Sequence, residues 1–341
     1  MTDHTRSTSI SRRTLVQAGG AAALSLPLAR LDAIAATRQD GSPVSGGTLT
    51  IGQDFGPQPL DPSATTAWAS TNVEELIYTG LMRWTPTMEI EPDLATDVET
   101  PDDTTYIFHL REGVTFHNGA PFSAEDVKYT FDRILDEAYA SPHRPVFSSI
   151  MAVEVIDPQT VSFSLDEPFA PFLRYLATSP YGAIVPNGAG EELANEPVGT
   201  GPFAFVEHQL DQAVRLQRHE GYYEEGLPYV DEVVFQLLGD DTSIAAAIQS
   251  GSVDISWLKN PIIAQSLAES TPGLESTPGV SSRYLPIRFN VSEAPFDDVR
   301  VRRAMSLALD RQALVDTVLG GYGAVGTFLP PSQLAEYDGW L

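Results

Sequence analysis

Cysteine is absent from the 341 residues, which excludes disulfides, thiol nucleophiles, cysteine-ligated zinc or iron–sulfur centres and a lipid anchor on cysteine. Lysine is almost absent too: Lys128 and Lys259 stand beside 18 arginines. Positive charge is short overall, with 20 Lys and Arg against 46 Asp and Glu and a formal net charge of -26. Four Arg and two Asp fall within residues 1–36, so the rest of the chain carries -28. A surface that acidic repels phosphate backbones, and nucleic acid is not an expected partner. Catalytic signatures are missing as well. There is no H-E-x-x-H, G-x-S-x-G or G-x-x-x-x-G-K-[ST], so metalloprotease, nucleophile-elbow and P-loop chemistry have no motif. Gly321, Gly323 and Gly326 fit G-x-G-x-x-G, but they follow a helical pattern ending near Leu319, where a dinucleotide fingerprint needs a strand.

With 42% of its residues apolar, the chain can bury a sizeable core and form two domains. Residues 1–36 read as a twin-arginine signal peptide. They hold paired Arg12 and Arg13, a mildly apolar stretch from Leu15 to Leu28, and Ala33 and Ala35 as a small-residue cleavage site. The stretch contains Gly19 and Gly20 and is too short for a comfortable membrane span. Residues 37–45 read as a polar linker.

From residue 46 onward strands and helices alternate. "GGTLTIG" begins a strand that leads into the turn-rich "GQDFGPQPLDPS". A helix is expected from about Ala67 to Leu81, with Val73, Leu76 and Ile77 on its apolar side and Glu74 and Glu75 outward. Between Thr85 and Tyr181 the pattern changes to short strands and two helices. In "HNGAPFSAEDVKYTFDRIL" (117–135), Asn118-Gly119 closes a turn and Ser123 caps a helix with Glu125 and Asp126 in its first turn. Val127, Phe131, Ile134 and Leu135 form one apolar stripe there, so every residue has a structural use. Further on, "AVRLQRH" and "EVVFQLL" read as strands, and "TSIAAAIQSGSVDISWL" as a helix, a glycine stop and a buried strand. "YLPIRFN" reads as another strand and "FDDVRVRRAMSLALDRQALVDTVLGG" as two helices. Strands alternating with helices around an α+β insert predict an α/β protein with an inserted subdomain.

Candidate chemistry is thin. Asp240-Asp241 and Asp297-Asp298 could in principle form acid–base dyads. Adjacent acids are nevertheless expected by chance in so acidic a chain, and Asp297-Asp298 stand where a helix favours negative charge. His109 and His117 are eight apart with no second ligand at metal-like spacing. Neither a metal nor a cofactor is expected.

Four separated stretches, "EPDLATDVETPDDTTYIFHLREGVTFHNGAPFSAEDVKYTFDRIL", "PVGTGPFAF", "AAAIQSGSVDI" and "FNVSEAPFDDVRVRRAMSLALDRQALV", together resemble the family 5 extracellular solute-binding proteins of peptide and nickel uptake. The resemblance covers about residues 47 to 331. It implies a two-lobed, periplasmic-binding-protein-like (type II) fold that captures a solute outside the membrane and presents it to an ABC permease and its ATPase. Residues 46–84 and 186–283 would then build the first lobe, 85–185 the inserted subdomain, and 284–341 the start of a second lobe. Members of this family continue well beyond that point, so a truncated, incomplete second lobe is expected, with exposed apolar surface. A complete protein would be a monomer.

The ligand, a short peptide or related small solute, would lie beyond strand ends, where open α/β sheets bind. Phe55, Gln58 and Pro59 after the first strand, Trp257 after "GSVDI", and Asn290 at the end of the crossover strand are the expected contacts. Trp257 could equally be a core tryptophan, and Asn290 could instead cap the following turn. A secreted carboxylate-based hydrolase and a non-functional fragment are the competing readings.

Overall fold

The computed structural model describes residues 43–57, 59–277 and 287–325. In chain order it runs β1 (Thr48–Gln53), α1 (Trp68–Ile77), β2 (Met82–Trp84), β3 (Ile90–Pro92), β4 (Ala95–Asp102), β5 (Thr105–Leu110), α2 (Ala124–Leu135), β6 (Ile150–Asp157), β7 (Thr160–Leu165) and α3 (Phe172–Leu176). There follow β8 (Phe203–Gln209), β9 (Ala213–Arg218), β10 (Glu232–Leu237), α4 (Asp241–Ser250), β11 (Ile255–Ser256), α5 (Pro261–Ser270), α6 (Val299–Ala308) and α7 (Arg311–Val318). The signal residues Arg12, Arg13, Ala33 and Ala35 lie outside the described residues, as do Gln58 and Gly326.

Two parallel neighbours flank β1: β10, paired from Thr48 opposite Glu232 to Gln53 opposite Leu237, and β11 on the other side. Antiparallel β9 and β8 extend the sheet to the order β11-β1-β10-β9-β8. An interior strand covered on both faces needs consecutive apolar residues, and Val233, Val234 and Phe235 of β10 are all buried. Helix α1 packs against β8, and its Val73 and Ile77 share one core with Phe203, Leu216 and Phe235. "PVGTGPFAF" owes its glycines to this packing. A Cβ on Gly201 would stand 2.6 Å from the Leu76 carbonyl oxygen, and one on Gly199 would stand 2.1 Å from that of Ile77.

The second sheet, β4-β5-β7-β6, is antiparallel throughout. Helix α2 covers it over β6 and β7. Its core is built from aromatic rings packed edge to face, with Phe131 centred 5.0 Å from Phe163 and 5.2 Å from Phe147. The start of α2 follows the sequence. Asp126 accepts from the Ser123 N–H at 2.8 Å, and Ala120 N–H donates to the Asn118 side chain. Val127, Phe131 and Ile134 are buried.

Four sequence expectations are corrected. Helix α1 ends at Ile77 instead of Leu81. Glu74 is fully buried, not outward. β11 has two residues at the sheet edge, and Ile255 is exposed, where a buried strand was expected. Of "YLPIRFN", residues 287–290 form no strand, and 284–286 lie outside the described residues.

Candidate functional site

The loop after β1 is fixed at its base and open at its tip. Asp61 turns the chain, accepting from the Ser63 N–H at 3.0 Å. Its two carboxylate oxygens also take the guanidinium fork of Arg133 from α2, at 3.0 and 2.5 Å, and the Tyr139 hydroxyl at 2.8 Å. Both charged side chains of this pair are almost wholly buried. Leu60 is buried, and its carbonyl accepts from the Tyr78 hydroxyl. Beyond this anchor, Phe55 and Pro59 reach solvent.

The carboxyl ends of β1 and β11 are held together by Ser256, whose hydroxyl donates to the Gly52 carbonyl at 2.9 Å. This brings the two following loops side by side. Lys259 pairs with Asp54, and its Nζ lies 4.1 Å from the centre of the Phe55 ring. Trp257 is 70% exposed, so it is no core residue. It meets Trp68, the first residue of α1, with ring centres 6.2 Å apart and planes at 83°. The result is a solvent-facing aromatic corner of Trp68 and Trp257, with Phe55 and the Lys259–Asp54 pair on the loops that follow β1 and β11.

Of the positions expected from the sequence, Phe55 packs against Lys259, which is two residues beyond Trp257 in the chain. Pro59 lies in the same loop as Phe55. Asn290 is not joined to the corner by any contact among the described residues. Its side chain accepts from the Ser292 N–H at 3.2 Å, which is the turn-capping alternative. Trp68 is the member of the corner that sequence motifs miss. Its only signal is an indole at the start of a helix, rotated away from the Val73–Ile77 stripe.

The carboxylate pairs have structural roles. Asp240 caps α4 through the Ser243 N–H, Asp241 accepts from the Asn260 N–H, and Asp298 caps α6 through the Arg300 N–H. The two histidines do not converge. His109 faces Glu99 across neighbouring strands at 2.7 Å, while His117 packs edge-on to His219. Among the described residues no three His, Asp or Glu side chains gather as a metal site. A concavity of about 890 Å³, lined by Leu135, Glu137, Arg144 and Met151 among others, opens beside the end of α2, away from these strand ends. Its charged groups are spent on the Arg144–Glu137 pair.

Comparison with known proteins supplies the context for this corner. Residues 89–341 match the family described as bacterial extracellular solute-binding proteins, family 5 middle. The glutathione-binding protein GsiB of Shigella flexneri is 31% identical over 301 residues, 86% of this chain and 58% of that protein. The oligopeptide-binding protein AppA from Bacillus subtilis, solved with a nonapeptide, is similar with a TM-score of 0.77 and 27% identity, over 84% of this chain and 58% of that one. The binding protein AgaA of A. tumefaciens R10, solved with agropinic acid, has a TM-score of 0.73 and 30% identity, over 84% and 59%. The chain thus spans somewhat over half the length of the relatives it matches.

Proposed function

The chain belongs to the bacterial extracellular solute-binding proteins, family 5, and from that membership we propose that it is the extracytoplasmic substrate-binding component of an ABC importer. It captures a short peptide or a related small solute and delivers it to a permease driven by an ATPase on other chains. The observation that carries this reading is the exposed aromatic corner at the carboxyl ends of β1 and β11, fixed at its base by the buried Asp61–Arg133 pair. Strand ends of this kind are where open α/β sheets receive ligands. Short peptides lead because one relative is named for glutathione and another is an oligopeptide-binding protein solved with a nonapeptide, with agropinic acid the ligand of a third.

In this reading residues 46–84 and 186–283 form the first lobe, 85–185 the insert, and 284 onward part of a second lobe that closes over the ligand. Phe55, Gln58, Pro59 and Trp257 touch the solute, and no bond is made or broken. Capture at micromolar solute requires about 8 kcal/mol of binding. A carboxylate hydrolase has no comparable support, since Asp240, Asp241 and Asp298 already serve helix ends and a loop.

Calorimetry against di- and tripeptides, run beside an assay for released product, tests the proposal. Saturable heat without turnover is expected, and catalytic release of product would refute it. Export by the twin-arginine route to the periplasm or the extracellular space rests on Arg12-Arg13 and Ala33-Ile34-Ala35. Changing both arginines to Lys should strand the protein in the cytoplasm, and unimpaired export would count against this route.

A further inference from the structure

We infer that Trp68 and Trp257 together form a subsite for an aromatic or bulky apolar side chain of the captured solute, an inference that rests on the peptide-receptor reading above. The two indoles come from different rigid supports, the first turn of α1 and the residue directly after β11. They stand nearly perpendicular, 6.2 Å apart, and remain 53% and 70% exposed. A third ring can lie flat on one indole while meeting the edge of the other, so it gains both favoured aromatic geometries at once.

The neighbouring charges narrow the choice of side chain. Lys259 is engaged by Asp54 and by the Phe55 ring, so the cation nearest the corner is already committed and does not offer itself to an acidic group. A basic side chain gains a cation–π contact, but at an exposed ring that is a smaller effect than burial of a whole aromatic face. Trp68 is therefore a specificity-determining residue that sequence motifs do not reveal.

The test uses the exported chain and four tripeptides, Ala-Phe-Ala, Ala-Ala-Ala, Ala-Lys-Ala and Ala-Asp-Ala, with calorimetry and indole fluorescence as readouts. Wild type is expected to prefer Ala-Phe-Ala over Ala-Ala-Ala by about tenfold, with Ala-Asp-Ala weakest. Trp68→Ala should abolish the Phe preference, bringing the affinity for Ala-Phe-Ala down to that for Ala-Ala-Ala. Trp68→Phe should keep part of the preference. A merely structural role for Trp68 would instead weaken all four peptides alike. Equal affinity for the Phe and Ala peptides overturns the inference while leaving the receptor reading standing. So does tightest binding of Ala-Lys-Ala, or a Phe preference that survives Trp68→Ala. If wild type binds none of the four, the peptide-receptor reading falls, and this inference with it.

Discussion

Glu74 lies fully buried on α1, and among the described residues neither of its carboxyl oxygens has a hydrogen-bond partner. Burial, then the nearby Asp61 and Glu75, push its pKa up to about 8. His117 is perturbed in the opposite sense, down to about 4, chiefly by burial. Its Nε2–H donates to the Gly201 carbonyl at 3.0 Å, and Nδ1 accepts from the Gly199 N–H at 3.3 Å. Only the neutral ring can do both. The signs follow from linkage. Glu74 has a folded pKa above its unfolded value of 4.5, so its contribution is fully present below pH 4.5 and declines as pH rises through 8. His117 has a folded pKa below its unfolded value of 6.5, so its contribution is present above pH 6.5 and is lost as pH falls towards 4. The two slopes oppose each other between about pH 4.5 and 6.5 and leave Glu74 alone between 6.5 and 8. The Glu74 contribution should therefore fall by about 1.4 kcal/mol per pH unit on that alkaline limb. Glu74→Leu should flatten the limb in urea titrations at pH 6.5, 7 and 8. An unchanged slope would show that the carboxyl is ionised in the fold.

Helix α2 shows how one element serves two cores. Its expected stripe, Val127, Phe131, Ile134 and the partly buried Leu135, packs into the antiparallel sheet. Its other side carries Asp126, Thr130 and Arg133, also buried. Asp126 accepts from the Asn187 N–H and Thr130 from that of Val185, while Arg133 holds Asp61. A buried ion pair adds little net stability, but removing one partner strands the other charge at a penalty of about 3–5 kcal/mol. Arg133→Met should lower the urea midpoint accordingly and release the 54–65 loop, weakening ligand binding. The double change Arg133→Met with Asp61→Leu should recover much of the stability but not the binding. If the single variant is as stable as wild type, the pair does not anchor the loop.

Across the whole molecule apolar exposure is uneven. Helix α6 has no buried residue, and Leu307 is 86% exposed. On α7 only Val315 is buried, while Leu314 and Val318 face solvent. Large apolar side chains left exposed on two successive helices promote association. The 341-residue chain should self-associate with rising concentration in sedimentation velocity, and Leu307→Glu with Val318→Glu should reduce it. A monodisperse wild-type monomer at high concentration would contradict this. Among the described residues no helix is long and apolar enough to cross a membrane.

Local signals are legible in the sequence because they act over a few residues. The Ser123 start, the Asp298 cap, and the left-handed Gly251 that ends α4 each satisfy backbone groups next to them in the chain. Strand periodicity likewise marks β5, β7, β9 and β10, and the four motif stretches carry the family. What surrounds an element cannot be read that way. Glu74 falls beside the Val73–Ile77 stripe and so reads as outward, yet the loop around Asp61 folds close enough to help hold its proton. Trp68 reads as an ordinary surface residue, and it is β11 that brings Trp257 against it. Sequence by itself determined the family and many of the helix starts and interior strands, since those depend on near neighbours and on motif order. Only the tertiary structure decided which buried carboxyl stays protonated and which aromatic rings share a corner, because burial and contact are properties of segments far apart in the chain.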